Sequence, residues 1–305
     1  MRMRDSGELV LLAAIWGASF LFMRYAVPAF GPLALVELRV SIGAAALLPL
    51  LALRGELRVL ARHAAPIVVV GLLNSALPFV MFSFALQSVT AGFAALLNAT
   101  TPLWTALIGR IWLRHAISRP QGVGLAFGLA GVAILVWGRI DFRPGASGWA
   151  IVAALVATAS YGVAANLARR YAADVPALGL ACGSQLASAL AVAPFALQAW
   201  PATPPTATAW YAAAALGLVC SAAAYVLYFR LIAHVGAIRS ASVTFLIPVF
   251  AAGWGGVVLG ETISPQMAVG GVVILAGTAL VLGLVRWGPK PEAAAAEGRP
   301  LPASR

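Results

Sequence analysis

Apolar residues run along this chain in blocks of about twenty, parted by short joints rich in Arg, Pro and Gly. A helix of that length crosses a hydrocarbon core of about 30 Å. The pattern predicts ten such blocks, near residues 9–27, 33–53, 66–86, 91–109, 121–138, 149–167, 177–198, 209–229, 238–258 and 266–286. They are numbered spans 1 to 10 below. The fold class expected is therefore an all-α polytopic membrane protein with ten transmembrane helices.

Composition agrees with the pattern. The 305 residues are 62% hydrophobic and only 10% charged, whereas a soluble domain carries about 25% charged residues. The net charge of +11 is spread over many loops and forms no single basic stripe, which argues against a nucleic-acid partner. The first block continues through Trp16 and Phe22 without a small-residue cleavage site, so it reads as a span and not as a cleaved signal. Cys182 and Cys220 lie inside apolar blocks and are expected to be reduced. His63, His115 and His234 fall near basic joints, with no metal-ligand spacing.

Basic residues also set the orientation, because loops kept in the cytoplasm are enriched in Lys and Arg. With both termini inside, sixteen of the twenty fall in inside segments, while Arg24, Arg139 and Arg143 lie outside and Arg39 lies within span 2. A multi-pass protein of a bacterial-type inner membrane with cytoplasmic termini is expected. Trp137, Trp149, Trp200 and Trp210 then mark the outer ends of spans, and Trp112 and Trp287 the inner ends, a depth that amphipathic rings prefer.

The chain repeats itself. At a constant offset of 146, Pro102 meets Pro248, Leu113 meets Leu259, and Ile117-Ser118 meets Ile263-Ser264. Gly71 meets Gly217, Ser75 meets Ser221, Phe79 meets Tyr225, Phe82 meets Tyr228 and Gly131 meets Gly277 at the same offset. One residue tighter, Gly17 meets Gly162 and Arg24 meets Arg169. Two units of five spans follow: residues 1–138, a periplasmic linker at 139–148, and residues 149–288, with a disordered cytoplasmic tail at 289–305. Five is odd, so the second unit enters the membrane upside down. Inverted repeats of this kind build secondary transporters with a site near the midplane.

The segments "IWGASFLF" (15–22), Pro32 followed by Arg39, "AALLNATTPLWTALIG" (94–109), "LRHAISRPQGVGLAFGLAGVAILV" (113–136) and its echo "LGETISPQMAVGGVVILAGTALVL" (259–282) resemble the drug/metabolite transporter superfamily. The likeness is to its EamA-type branch of ten-helix carriers with two EamA repeats, and it covers about residues 8–286. It implies transport of small organic metabolites, often amino-acid efflux, through a cavity lined mainly by spans 1, 3, 4, 6, 8 and 9. One departure is visible: Arg114-His115 stands where the second repeat keeps Gly260-Glu261.

Polar residues inside spans are the site candidates. Asn98, Thr101 and Thr105 fall on one helical face with Pro102 beside them, by i, i+3, i+4, i+7 spacing. Such a face either hydrogen-bonds to a neighbouring helix or lines a cavity, and the repeat places Thr244 and Pro248 at equivalent points of span 9. Pro102 and Pro248 are candidate hinges. Span 3 offers Asn74, Ser75, Phe79 and Phe82, and span 8 offers Ser221, Tyr225 and Tyr228. Trp16 and Ser19 of span 1 pair by symmetry with Ser160, Tyr161 and Asn166 of span 6. Each of these also has a packing reading. Arg39 is a candidate gate or carboxylate partner, with snorkelling to headgroups as the alternative, and Glu37 is expected to snorkel. Gly124, Gly128 and Gly131 share a face of span 5 and invite close helix packing.

The function expected is secondary transport, most simply export of amino acids or related metabolites by alternating access. No Walker-type loop supports direct use of ATP. No carboxylate lies at mid-depth to carry a proton, so facilitated diffusion or weak proton coupling is expected. A lipid-precursor flippase or multidrug exporter is the alternative. An intramembrane enzyme needs Ser–His, paired Asp or metal ligands at a shared depth, and no such set occurs, so no catalytic residue, metal or cofactor is expected. The partners expected are a small solute and the bilayer, with a homodimer left open.

Overall fold

The computed structural model describes residues 3–143, 145–236, 240 and 242–285. The expected tail at 289–305, and the end of the second unit from 286 onward, lie outside these residues. Among the described residues the chain is helical throughout, with no strand. Seven helical stretches are long and apolar enough to cross a membrane, and two more, of 17 residues each, are apolar but shorter. The chain is a multi-pass membrane protein.

The first stretch, α1 (Met3–Leu53), holds two of the expected spans. It breaks at Gly31, whose φ of 71° and ψ of 166° suit a residue without a Cβ. Pro28 and Pro32 flank the break, so backbone donors are missing on both sides. A short helix α2 (Arg58–Arg62) leads into α3 (Ala64–Gly71), a π-helical turn (Leu72–Ala76) and α4 (Leu77–Ala85). These three pieces make span 3. Span 4 is α5 (Ala91–Asn98) and α6 (Thr101–Leu113), interrupted at residues 99–100. Next come α7 (Arg119–Val136), α8 (Ser147–Tyr171) and α9 (Ala177–Gln198). Span 8 repeats the build of span 3: α10 (Ala207–Gly217), a second π-helical turn (Leu218–Ala223) and α11 (Ala224–Val235). The chain closes with α12 (Val243–Leu259) and α13 (Pro265–Val281).

Local chemistry sets the starts and stops. Thr90, Ser118, Thr206 and Ser264 each accept a backbone N–H from the first turn of the helix they precede, the usual work of an N-cap hydroxyl. Ser118 and Gln121 form a reciprocal capping box. Span 4 ends on Arg114 and span 9 on Gly260, both left-handed. These two positions are equivalent in the repeat.

The halves interlock through glycines. A Cβ on Gly17 of span 1 would lie 2.6 Å from Phe250 Cβ and 2.9 Å from Ala251 N in span 9. A Cβ on the equivalent Gly162 of span 6 would lie 2.9 Å from Trp104 and Thr105, the counterparts of 250 and 251, in span 4. Likewise Gly71 closes on Ser184 and Gly217 on Arg39 and Ile42, which pairs span 3 with 7 and span 8 with 2. Gly124 of span 5 meets Gly277, and Gly131 meets Gly270, in span 10. Gln121 donates to Val281 O at the end of span 10, and Gln266 donates to Ile134 O and Trp137 O at the end of span 5. In lipid there is no hydrophobic drive to press helices together, so this backbone-to-backbone approach supplies the packing. The large apolar side chains left over, such as Leu190, Leu197, Val257 and Val272, point outward from the bundle.

Candidate functional site

Side-chain contacts gather the loops into two ends. At one, Arg24 donates to Leu86 O and Gln87 O and faces Glu261 at 3.5 Å. Glu261 Oε2 accepts Ala91 N at 2.9 Å, capping α5. Arg139 reaches Ser264, and Phe30 packs against Trp200 and Trp210 at the same end. The other end carries the basic loops. There Arg230 faces Glu8 at 3.1 Å, and Val59 and Leu60 lie under Gly179 and Gly183.

Between these ends lies a cavity of about 290 Å³ with walls from both halves, at the lower edge of the range of roughly 300–1,000 Å³ usual for small-molecule sites. Nine of the twelve residues picked as cavity candidates stand on its wall: Trp16, Ser19, Asn74, Phe79, Asn98, Thr101, Tyr161, Tyr225 and Thr244. Span 2 contributes Arg39, so the wall draws on spans 1, 2, 3, 4, 6, 8 and 9. Aromatic rings dominate it. Trp16 lies 5.2 Å from Tyr228, Phe20 meets Phe82 edge-on at 5.5 Å, and Phe82 stacks on Tyr161 at 6.3 Å.

Ser75, Ser160 and Ser221 stand behind the wall instead, in the packing of the π turns. A π turn shifts the backbone ladder by one residue and leaves carbonyls to be satisfied from outside. Ser160 Oγ donates to Leu73 O at 2.7 Å, and Ser188 Oγ to Gly71 O at 3.1 Å. Ser221 Oγ accepts Arg39 Nε at 3.1 Å. Ser75 is fully buried and has no hydrogen-bond partner among the described residues.

The stripe on span 4 divides between its two readings. Pro102 has no N–H for the carbonyl of Asn98, and Thr101 Oγ1 donates there instead at 2.8 Å. Thr105 Oγ1 donates to Thr101 O at 3.0 Å. Neither hydroxyl bridges to another helix. The Asn98 amide has no protein hydrogen-bond partner among the described residues and faces the cavity. Span 4 breaks beside Pro102, whereas Pro248 sits inside the continuous α12. Neither proline reaches the cavity wall.

Arg39 is buried at 5% exposure and does not snorkel. Besides Ser221, its Nη1 reaches Met23 Sδ at 3.4 Å, and its guanidinium lies 3.7 Å above the Phe79 ring. Glu37 does not pair with it and accepts Ser41 Oγ at 2.6 Å. Lining residues outside the polar picks are Phe20, Met23, Phe82, Ala165, Cys220, Tyr228 and Ile247. Phe20 and Met23 were within reach of the sequence, since 16, 19, 20 and 23 share one helical face.

A smaller pocket of about 270 Å³ opens at the basic end, lined by Leu113, His115, Asn166, Arg169 and Arg170. His115 sits over Gly109 as Glu261 sits over Gly255, and His115 N and Glu261 N donate to those two glycine carbonyls. By the repeat, His115 with Arg169 is the counterpart of Glu261 with Arg24, and among the described residues no carboxylate lines this pocket.

The profile of the EamA-like transporter family matches this chain twice, over residues 8–137 and 148–283. The chain belongs to the EamA-like transporter family. A "probable terminal-alkyne amino-acid exporter" of Streptantibioticus cattleyicolor is 27% identical over 275 residues, covering 90% of this transporter and 91% of the relative. The "uncharacterized inner membrane transporter YedA" of Escherichia coli K12 is 29% identical over 293 residues, 93% of each chain. A solved crystal structure of a protein superposes with a TM-score of 0.67 at 23% identity. It covers 94% of the transporter and 99% of the other chain, and shows a shared fold.

Proposed function

We propose that this transporter moves small organic metabolites across a bacterial-type inner membrane by alternating access, as an exporter of amino acids or related compounds. The observation that carries the reading is a central cavity walled by both repeats, whose glycine contacts are reciprocal at a constant offset. Two halves related in this way can exchange roles and expose one site to either side.

Counting the two arms of α1 separately and letting α12 and α13 each cross gives ten spans in two inverted units, 1–138 and 149–288. The basic end is then cytoplasmic. The Arg24–Glu261 contact and the Phe30–Trp200–Trp210 cluster close the periplasmic side. Lining residues toward the periplasm (Phe20, Met23 and Phe82) are buried, while toward the other end Ala165 is exposed and Tyr228 and Thr244 are partly so. That gradient supports a state open to the cytoplasm, the side from which an exporter loads.

The amino-acid assignment takes its support from the name of the Streptantibioticus relative. The deciding experiment is counterflow by purified protein in liposomes, against a panel of amino acids, nucleosides and cationic drugs. Acceleration by an amino acid and by no cationic drug is expected. Exchange restricted to cationic drugs would replace this reading with multidrug export.

A further inference from the structure

Burying a guanidinium inside a membrane protein is costly unless a partner meets its charge. Arg39 is buried, and among the described residues it makes no ion pair. Its five N–H donors find two protein acceptors, Ser221 Oγ and the weakly accepting Met23 Sδ, so three are left over. The nearest carboxylate in sequence, Glu37, is engaged with Ser41. The Arg39 side chain is also held in place: Phe79 lies under its face at 3.7 Å and Ser221 fixes Nε from the opposite half. Its counterpart in the repeat, at the offset of 145, is Ser184, so among the described residues the cavity wall carries one cation and not a symmetric pair.

The rest of the wall is aromatic and neutral. Asn74 and Asn98 present side-chain amides, and Tyr161 and Tyr225 present hydroxyls. No carboxylate stands on the wall among the described residues. An ammonium group entering here would meet neutral acceptors and a fixed positive charge. A carboxylate would meet a lining guanidinium with unclaimed N–H donors, whose fork matches its two oxygens.

We propose that Arg39 makes this cavity an anion site, one that selects apolar solutes bearing a carboxylate over solutes bearing only an amine. The proposal rests on the transport reading for the solute's route, while the binding preference follows from the cavity alone. The carboxylate takes the free guanidinium edge, and the apolar body lies among Trp16, Phe82 and Tyr161. The class is therefore monocarboxylates with an aromatic or branched apolar body, whether or not they also carry an α-amino group.

The test uses ligands of one shape and different charge: 3-phenylpropionate, phenylalanine, 3-phenylpropionamide and phenethylamine. Each is titrated against purified protein, with thermal stabilisation as the readout, and each is offered in liposome counterflow. Both carboxylates are expected to half-saturate at concentrations at least about tenfold lower than the amide or the amine, the scale of one or two charge-assisted hydrogen bonds. Arg39→Lys retains part of that preference and Arg39→Gln abolishes it. Phenethylamine stabilising the wild-type protein as well as the carboxylates do, or neither carboxylate stabilising it, overturns the anion site. If Arg39→Gln does not fold, the ligand series on the wild type decides alone. Carboxylate binding without counterflow leaves the anion site standing and removes the transport reading. Equal counterflow of amine and carboxylate does the reverse.

Discussion

Glu261 ties three elements together at the end proposed to face the periplasm, and Glu261→Gln isolates the electrostatic part of that tie. The glutamine keeps an oxygen for Ala91 N and loses the charge facing Arg24. At 3.5 Å and an effective dielectric of about 20, the attraction is about 5 kcal/mol before solvent screening. The Arg24 side chain is 32% exposed and that of Glu261 12%, which places the pair between two measured classes. Exposed pairs contribute about 0.2–1 kcal/mol, and breaking a buried one costs about 3–5 kcal/mol. A net loss of about 1–2 kcal/mol is expected, equivalent to a factor of roughly 5–30 in the balance between closed and open periplasmic sides. Cys220 reports that balance, because it lines the cavity and is buried. With Cys182 replaced by Ser, Cys220 becomes the sole thiol. In intact cells, the rate at which a small membrane-impermeant methanethiosulfonate modifies it from outside should rise by that factor in Glu261→Gln. Adding Arg24→Gln should then raise the rate by less than Arg24→Gln does in the parent, since the ionic part is already gone and only the bonds to Leu86 O and Gln87 O remain to be lost. A rate within twofold of the parent, or full additivity of the two substitutions, would refute the clamp.

Other consequences can be checked alongside. Asn98→Ala and Tyr225→Phe each remove a polar group from the cavity wall and should lower initial counterflow rates by about tenfold, the effect of losing a hydrogen bond of about 1.4 kcal/mol, with membrane yield unchanged. Normal rates in both would return the span 4 stripe to packing. Gly17→Ala and Gly162→Ala should each lower the melting temperature of the purified protein, by the roughly 1–3 kcal/mol typical of overpacking. The two should do so to a similar degree because their surroundings are equivalent, and an unchanged melt in either would show that the helices can spread. Counterflow should proceed with no pH gradient, and a strict requirement for one would contradict the absence of a carboxylate on the cavity wall among the described residues.

Much of the architecture could be read from the chain because lipid imposes coarse rules. Blocks of about twenty apolar residues and the recurring offset of 146 are written in order along the sequence. The break at Gly31 was similarly marked, between Pro28 and Pro32. The site was partly legible, since helical spacing brings Trp16, Asn98, Thr101 and Tyr161 to inward faces. Ser75 and Ser221 were misplaced because each lies in a π turn. One extra residue per turn rotates the downstream face by about 100°, and a regular 3.6-residue count cannot register that. Arg39 looked near enough to the span end to snorkel. Its burial depends on Ser221 and Phe79, which come from elsewhere in the chain. Cys220 and Ile247 carry no polar signal and needed the fold to be found.

The close glycine contacts bear on whether either repeat could stand without the other. Those at Gly17, Gly217, Gly71, Gly162, Gly124 and Gly131 join a helix of one copy to a helix of the other, 1 to 9, 8 to 2, 3 to 7, 6 to 4 and 5 to 10, while Gly128 closes on Leu103 of its own copy. Neither copy therefore holds a finished core of its own, and cutting the chain at the linker would separate every helix from its tightest neighbour.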